Sequence, residues 1–317
     1  QRSNAARPQF LRMIRDILRF NGKADAVATP DMTIGELIAT LGLGSWFKDY
    51  YLTPFSGAIW STPTAHILDF PARAMIEFFK NHGLLGYYGD PQWYTVQGGS
   101  IEYVKRLERA LDQRGVDVRL SASVKAVRRT VYGVEVRVES GEWEAFDEVV
   151  FATHSDDTLS LLQDATPAET SALSAIRYQS NKAVLHCDPG VMPARKKVWS
   201  SWSYVDTGKS ADDPIDLSYW MNSLQPIPHD DPMFVTLNRS APIRDELIYD
   251  EATFRHPVYD LATFEAQATI RNMNGQNNTW FCGAWMKNGF HEDGLASAVD
   301  VADAMAAPGR QTAVAAE

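Results

Sequence analysis

The residues best placed to do chemistry lie near the end of the chain. Trp280-Phe281-Cys282-Gly283-Ala284-Trp285 reads as a buried strand that ends in a glycine. A loop follows, and Asp293-Gly294-Leu295-Ala296 opens a helix. The backbone N–H groups at a helix start, with the positive end of its dipole, suit an anionic or electron-rich ligand near Gly294 and Leu295. The same residues also read as an ordinary strand-loop-helix crossover with Asp293 as N-cap. His291 beside Glu292 is a loop histidine or an acid–base pair. His186 sits on an apolar strand, and His154 and His256 have no spacing partner for a metal. Cys187 and Cys282 are the only cysteines, which leaves neither a disulfide framework nor a cysteine zinc site and fits a reducing, cytoplasmic compartment.

Composition narrows the function classes. The chain has 317 residues, 45% hydrophobic and 22% charged, enough for a large core in one or two domains. A net charge of -10 argues against nucleic acid, whose binders carry basic patches. The one basic cluster, Arg195-Lys196-Lys197, is short. No apolar run reaches the roughly 18 residues needed to cross a bilayer, and no signal peptide is visible.

Several elements must position these residues. Pro8–Asn21 reads as an amphipathic helix, with Phe10, Met13, Ile14, Ile17 and Leu18 on one face and Arg12, Arg15 and Asp16 away from it. A capping box, Thr33 with Glu36, opens a second helix. The GxG in Leu41-Gly42-Leu43-Gly44 follows a helix and reads as its stop. Residues 46–94 are dense in aromatics, from Trp46 to Trp93 and Tyr94, and read as core or as the lining of an apolar cavity. A helix is expected over Pro71–His82 and another over Ile101–Arg114, with Val104, Leu107 and Leu111 on one face. Alternation predicts strands at Val116–Leu120, Val124–Arg129, Val134–Val138 and Phe146–Ala152, with Val149-Val150-Phe151 buried on both faces. Thr166–Asp260 reads as strand-rich, with strands at Lys182–Cys187, Val198–Tyr204, Leu217–Met221 and Met233–Leu237. Helix Asp260–Met273, strand Thr279–Cys282 and helix Gly294–Met305 close the chain.

The C-terminal phrase, Phe281-Cys282-Gly283-Ala284-Trp285 with Gly289-Phe290-His291-Glu292-Asp293-Gly294-Leu295, resembles the flavin motif of the amine-oxidase superfamily, and one bacterial branch of predicted NAD/FAD-binding proteins in particular. Phe10–Phe20, Ala183–His186, Trp199–Trp202, Tyr219–Asn222 and Phe234–Asn238 resemble that branch too. The resemblance implies an α/β fold in which an FAD-binding Rossmann-like part, about 95–160 and 276–306, interleaves with an α+β substrate domain, about 1–94 and 161–275, before a flexible tail from 307. It implies FAD contacts from Gly98, Gly99, Val124, Thr153, Gly283, Ala284, Trp285, Asp293, Gly294 and Leu295. Many relatives carry an acidic residue where this chain has Ala284. Lys182 matches a lysine that some relatives place near the flavin, where it assists proton chemistry; the plain reading is an edge-strand lysine in solvent. Trp285 stacks near the ring or fills the core, and Cys282 inside the strand is a poor covalent tether.

The GxGxxG turn of such enzymes is absent. The resemblance places it before Gln1, in a segment on the order of a hundred residues, so tight FAD binding by the chain alone is not expected. The implied activity is hydride removal from a carbon substrate, with dioxygen or another acceptor reoxidising the flavin. The aromatic segments suit an apolar small-molecule substrate such as a fatty-acyl chain. Two rivals stand beside it: a non-catalytic remnant or partner subunit, and a lipid-binding protein whose first helix touches a membrane.

Overall fold

The computed structural model describes residues 4, 6–86, 92, 94–206, 208 and 210–307. They form two compact units, one from Gln1–Gln113 with Gln179–His256 and one from Arg114–Tyr178 with Pro257–Glu317. The fold is α/β, with the two units interleaved along the chain.

The first unit opens on helix α1, Pro8–Val27. Its buried stripe is Met13, Asp16, Phe20 and Ala24, not the face expected from the sequence. Asp16 turns inward because its carboxylate accepts the Gly44 N–H at 3.0 Å, while Leu11, Ile14 and Leu18 face solvent. α2, Ile34–Thr40, carries the expected capping box, and Gly42 at φ +61 ends it. A short α3, Ser45–Phe47, runs through a π-turn, Lys48–Leu52, into α4, Thr53–Trp60. Pro54 has no N–H to offer Tyr50, which accounts for the local widening. α5 spans Ala72–Asn81. Phe47, Trp60, Phe70, Phe78 and Phe79 are buried, so half of the ten described aromatics of this stretch are core, and Phe20 of α1 joins them. Tyr87, Tyr88 and Trp93 lie outside the described residues. α6, Ile101–Gln113, follows a Gly98-Gly99 turn with both glycines at positive φ. Val104, Leu107 and Leu111 on it are exposed.

The second unit begins with an exposed segment, 116–120, in place of the expected strand. Alternation alone makes no ladder, and no described strand lies alongside it to supply one. Then come β1 (Val124–Thr130), β2 (Gly133–Val138) and β3 (Trp143–Phe146), an antiparallel meander. Phe146 thus ends β3, and the next strand, β4, is only Val149–Phe151, with Val150 exposed rather than buried. α7, Ser155–Leu161, follows, and α8, Pro167–Ala175, falls within the stretch read as strand-rich, ahead of its first expected strand.

The chain returns to the first unit along β5, Arg177–His186. β6 (Trp202–Val205), β7 (Asp216–Trp220), the single-turn α9 (Met221–Leu224) and β8 (Phe234–Leu237) follow. The expected strand over Val198–Tyr204 begins only at Trp202, because Lys196–Val198 is a 3-10 turn. β9, Ile248–Val258, was not expected. The sheet order is β6-β7-β8-β5-β9, with Ala183 and Leu217 both facing Leu237 in register. Inside it His186 is fully buried. Its Nδ1 accepts the Asp188 N–H at 3.1 Å, so Nε2–H donates to Thr236 Oγ1 at 2.8 Å.

Burial holds the His186 pKa down to about 4, against about 6.5 in an unfolded chain. Stability from this group is therefore full above pH ~6.5 and is lost as pH falls through the folded value, on the order of 3 kcal/mol in all. Urea midpoints measured between pH 7 and pH 4.5 are expected to fall in the wild type. In His186→Leu they are expected to fall clearly less.

In the second unit α10 (Leu261–Met273), β10 (Thr279–Phe281) and α11 (His291–Met305) complete the fold. β10 pairs in parallel with β4, Phe281 opposite Phe151, their rings stacked at 5.9 Å. These rings, Val127, Leu173, Ile270 and Trp285 form one buried cluster.

Candidate functional site

The turn after β10 is where the second unit spends its hydrogen bonds. Gly283 has φ +145, a region that side chains disfavour. An added Cβ there would sit 2.6 Å from Trp285 Nε1. The Trp285 indole is buried and donates to the Thr153 carbonyl at 2.9 Å, which ties β10 to the end of β4. From α10, buried Gln267 donates to the Trp285 and Lys287 carbonyls, both at 2.8 Å, and Arg271 reaches the Met286 carbonyl at 3.3 Å. From α11, Ser297 Oγ accepts the Gly283 N–H at 2.9 Å. Asn274 pairs with both the N–H and the carbonyl of Phe281, standing in for a neighbouring strand. Gln267, Ser297 and Asn274 escaped sequence reasoning. Only the burial of Gln267 had a signal, its place on the inner face of a periodic helix.

α11 starts earlier than expected. Its N-cap is Phe290, and Asp293 sits at the third helical position, its carboxylate accepting the Phe290 N–H at 3.0 Å. Asp293 is therefore not the N-cap. Gly294 N–H already donates to the Phe290 carbonyl at 3.1 Å, so the amides that precede the helical ladder are those of His291, Glu292 and Asp293. Two carboxylates, Glu292 and Asp293, share that turn and answer part of its positive dipole. Gly294 faces Ala284, where a Cβ would meet only ordinary contact at 3.7 Å, and Leu295 is exposed. Below the turn, the Tyr259 hydroxyl would lie 2.7 Å from a Cβ on Gly289. Burial first, then Asp293 and Tyr178, push the Tyr259 phenol well up.

The expected site residues divide between the units. Thr153, Gly283, Ala284, Trp285, Asp293 and Gly294 come together in the second. Val124 opens β1 in the same unit and lines a cleft of about 300 Å³ with Val136, Val138 and Phe146, rimmed by Asp117, Arg119 and Glu144. Arg119 bonds both acids at 2.7 Å, and these bonds, Glu144's first, raise its pKa. Gly98, Gly99 and Lys182 belong to the first unit. Gly99 has open space where a Cβ would stand, at φ +83, just before α6. Lys182 is exposed on β5 and its ammonium pairs with Glu251 at 2.9 Å. Cys282 is buried and its thiol is pushed up by burial. A second cleft, of about 220 Å³, lies in the first unit and is lined by Asp49, Thr53, Tyr204, Asp206, Asp213 and Asp216, among others. Among the described residues, one group has the spacing to hold a metal: His154, Asp156 and Asp157. It stands on the first turn of the short α7, where carboxylates also answer the helix dipole.

Within the second unit, the clamped turn at Gly283–Ala284 carries no side chain larger than a methyl and no metal-ligating group, which suits a flat organic ligand better than a metal. Comparisons with known proteins agree. The sequence profile of the flavin containing amine oxidoreductases matches residues 44–241, more than half of the chain. No curated protein matches by sequence. Among solved structures, a putrescine oxidase bound to putrescine superposes with TM-score 0.63 at 14% identity, covering 95% of this chain and 76% of its own. A CLA-producing fatty acid isomerase from P. acnes gives 0.61 at 13%, covering 96% and 77%. A reduced UDP-galactopyranose mutase gives 0.62 at 12%, covering 94% and 72%. No described helix is long and apolar enough to cross a membrane. The profile match over 44–241 and the shared fold place this chain in the flavin containing amine oxidoreductase family, with FAD as the cofactor.

Proposed function

We propose that the protein is an FAD-dependent oxidoreductase that removes a hydride from a carbon centre of an apolar, lipid-like substrate. The observation that carries the reading is the turn Gly283–Lys287, which five separate hydrogen bonds hold in place: Gln267 and Arg271 donate to its carbonyls, and it donates to Thr153 and Ser297. Rigid main-chain positioning is what the protein contributes to a cofactor that carries the chemistry. Gly283, Ala284, Gly294 and the start of α11 would hold the ring and its chain, Thr153 would border them, and Leu295 would shield the outer side. Val124 and its cleft would take the adenine end. When bound, FAD supplies the electron-accepting ring. Lys182, paired with Glu251 in solvent, is assigned no step.

The apolar substrate rests on the half-buried rings of Trp46, Tyr51 and Phe55 at the margin of the aromatic core, and on the likeness to a fatty acid isomerase. One observation favours a second reading, an amine substrate. The first unit's 220 Å³ cleft carries Asp206 and Asp213 beside Asp49, which pairs with Lys48, and buried Asp216, which pairs with Arg239; the lining is acidic and suits a cation, and the π-turn bearing Asp49 borders it. Anaerobic mixing of the flavin-loaded protein with unsaturated fatty acids and, separately, with aliphatic diamines decides between them. Bleaching of the flavin by the fatty acids supports the lipid reading. Bleaching by diamines alone would replace it with the amine reading.

A further inference from the structure

α1 carries a second apolar stripe on its outer side. Leu11, Ile14 and Leu18 recur at three- and four-residue spacing and are 53%, 39% and 51% exposed. They are not needed for the core, which α1 meets through Met13, Phe20 and Ala24. Beside this stripe lie Arg12 and Arg15, both exposed, Arg15 also pairing with Asp16 at 3.3 Å, with Arg7 one turn before and Lys23 one turn after. Arg19 is drawn inward to the Leu41 and Gly42 carbonyls at 3.2 and 3.4 Å. Residues 7–23 thus hold five cationic side chains and a single carboxylate, that of buried Asp16, in a protein whose net charge is -10. The cations are gathered where the chain exposes apolar side chains, against the charge of the rest.

We propose that the outer face of α1 docks on an anionic bilayer surface. The apolar stripe is three residues long, too narrow for a stable protein interface and suited to shallow insertion at the headgroup boundary. Arg7, Arg12, Arg15 and Lys23 meet the negative surface potential there. Long arginine stems let the charge reach phosphate while the stem lies along the acyl boundary. The surface stands on the first unit alone and holds whether or not the second unit carries a flavin.

The test is co-sedimentation of the whole protein with vesicles of phosphatidylglycerol and phosphatidylcholine, with vesicles of phosphatidylcholine alone as the comparison. Binding to the anionic vesicles is expected, weakening as salt is raised. Arg7→Gln and Arg12→Gln are each expected to weaken it about fivefold, from roughly 1 kcal/mol per cation near the surface. The triple variant Leu11→Gln, Ile14→Gln, Leu18→Gln is expected to weaken it on the order of tenfold or more. All three side chains face water, so the melting temperature should hold, and the arginine variants provide an independent arm if it does not. Absence of binding to anionic vesicles, equal binding to the neutral ones, or binding that survives both sets of substitutions overturns the proposal.

Discussion

Replacing Trp285 by alanine is expected to destabilise the second unit by about 3–5 kcal/mol, the usual cost of emptying a buried aromatic site. The indole is buried in the cluster of Val127, Phe151, Leu173, Ile270 and Phe281. Its N–H also holds the Thr153 carbonyl at 2.9 Å, so its loss leaves that acceptor to find water. Trp285→Phe keeps most of the volume and loses mainly the bond, for about 1–2 kcal/mol. Gly283→Ala tests the same turn from the other side. Its Cβ would fall 2.6 Å from Trp285 Nε1 at φ +145, for roughly 2–4 kcal/mol of strain and displaced packing. Urea denaturation measures all three. A Trp285→Ala cost below about 1 kcal/mol, against the expected cavity cost, would mean that the turn is not clamped as described.

Glu169→Ala is expected to cost about 3–5 kcal/mol, because it strands a buried guanidinium. Arg129 and Glu169 are both buried side chains, joined by two bonds of 2.6 and 3.0 Å. The same carboxylate accepts the Thr166 N–H at 2.7 Å and so closes the capping box of α8. Asp164 still takes the Arg129 Nε at 3.1 Å, which sets the cost at the lower end. Burial opposes ionisation of Glu169, but the bonds from Arg129 and Thr166 win and hold its carboxyl below the usual value. A depressed carboxyl contributes stability above its unfolded pKa, about 4.3, and loses it as pH falls through the folded one. The wild type is therefore expected to lose stability below about pH 4 more steeply than Glu169→Ala. Equal acid slopes in denaturation at pH 7 and pH 3.5 would contradict the assignment.

Where local chemistry and tertiary context agreed, the sequence was a sufficient guide. The box of Thr33 with Glu36, the strands expected from Val124 and from Val134 and the buried β10 all follow from spacing and alternation. The misreadings have physical causes. Val116–Leu120 alternates like a strand but has no neighbour to bond. β9 pairs along one edge of its sheet, faces solvent over most of its length and contains Pro257, so it shows neither an apolar run nor clean alternation. α8 announced itself through Thr166 and Glu169, a box hidden in a region otherwise rich in β-branched and aromatic residues. On α1 a buried Asp16 inverted the apparent polarity of the helix, because its partner is a backbone amide 28 residues away. Of the candidate site, the glycines and Trp285 were legible as types at a strand end. Their support from Gln267, Ser297 and Asn274 was not, since a polar residue on a helix announces burial only through its partners.

The central claim, a flavin held through the turn at Gly283, is tested most directly by the visible absorbance of the full natural polypeptide after purification, FAD addition and desalting. The account predicts flavin bands that stay with the protein and are lost in Gly283→Ala while the first unit remains folded. A colourless protein that takes up no FAD would contradict it.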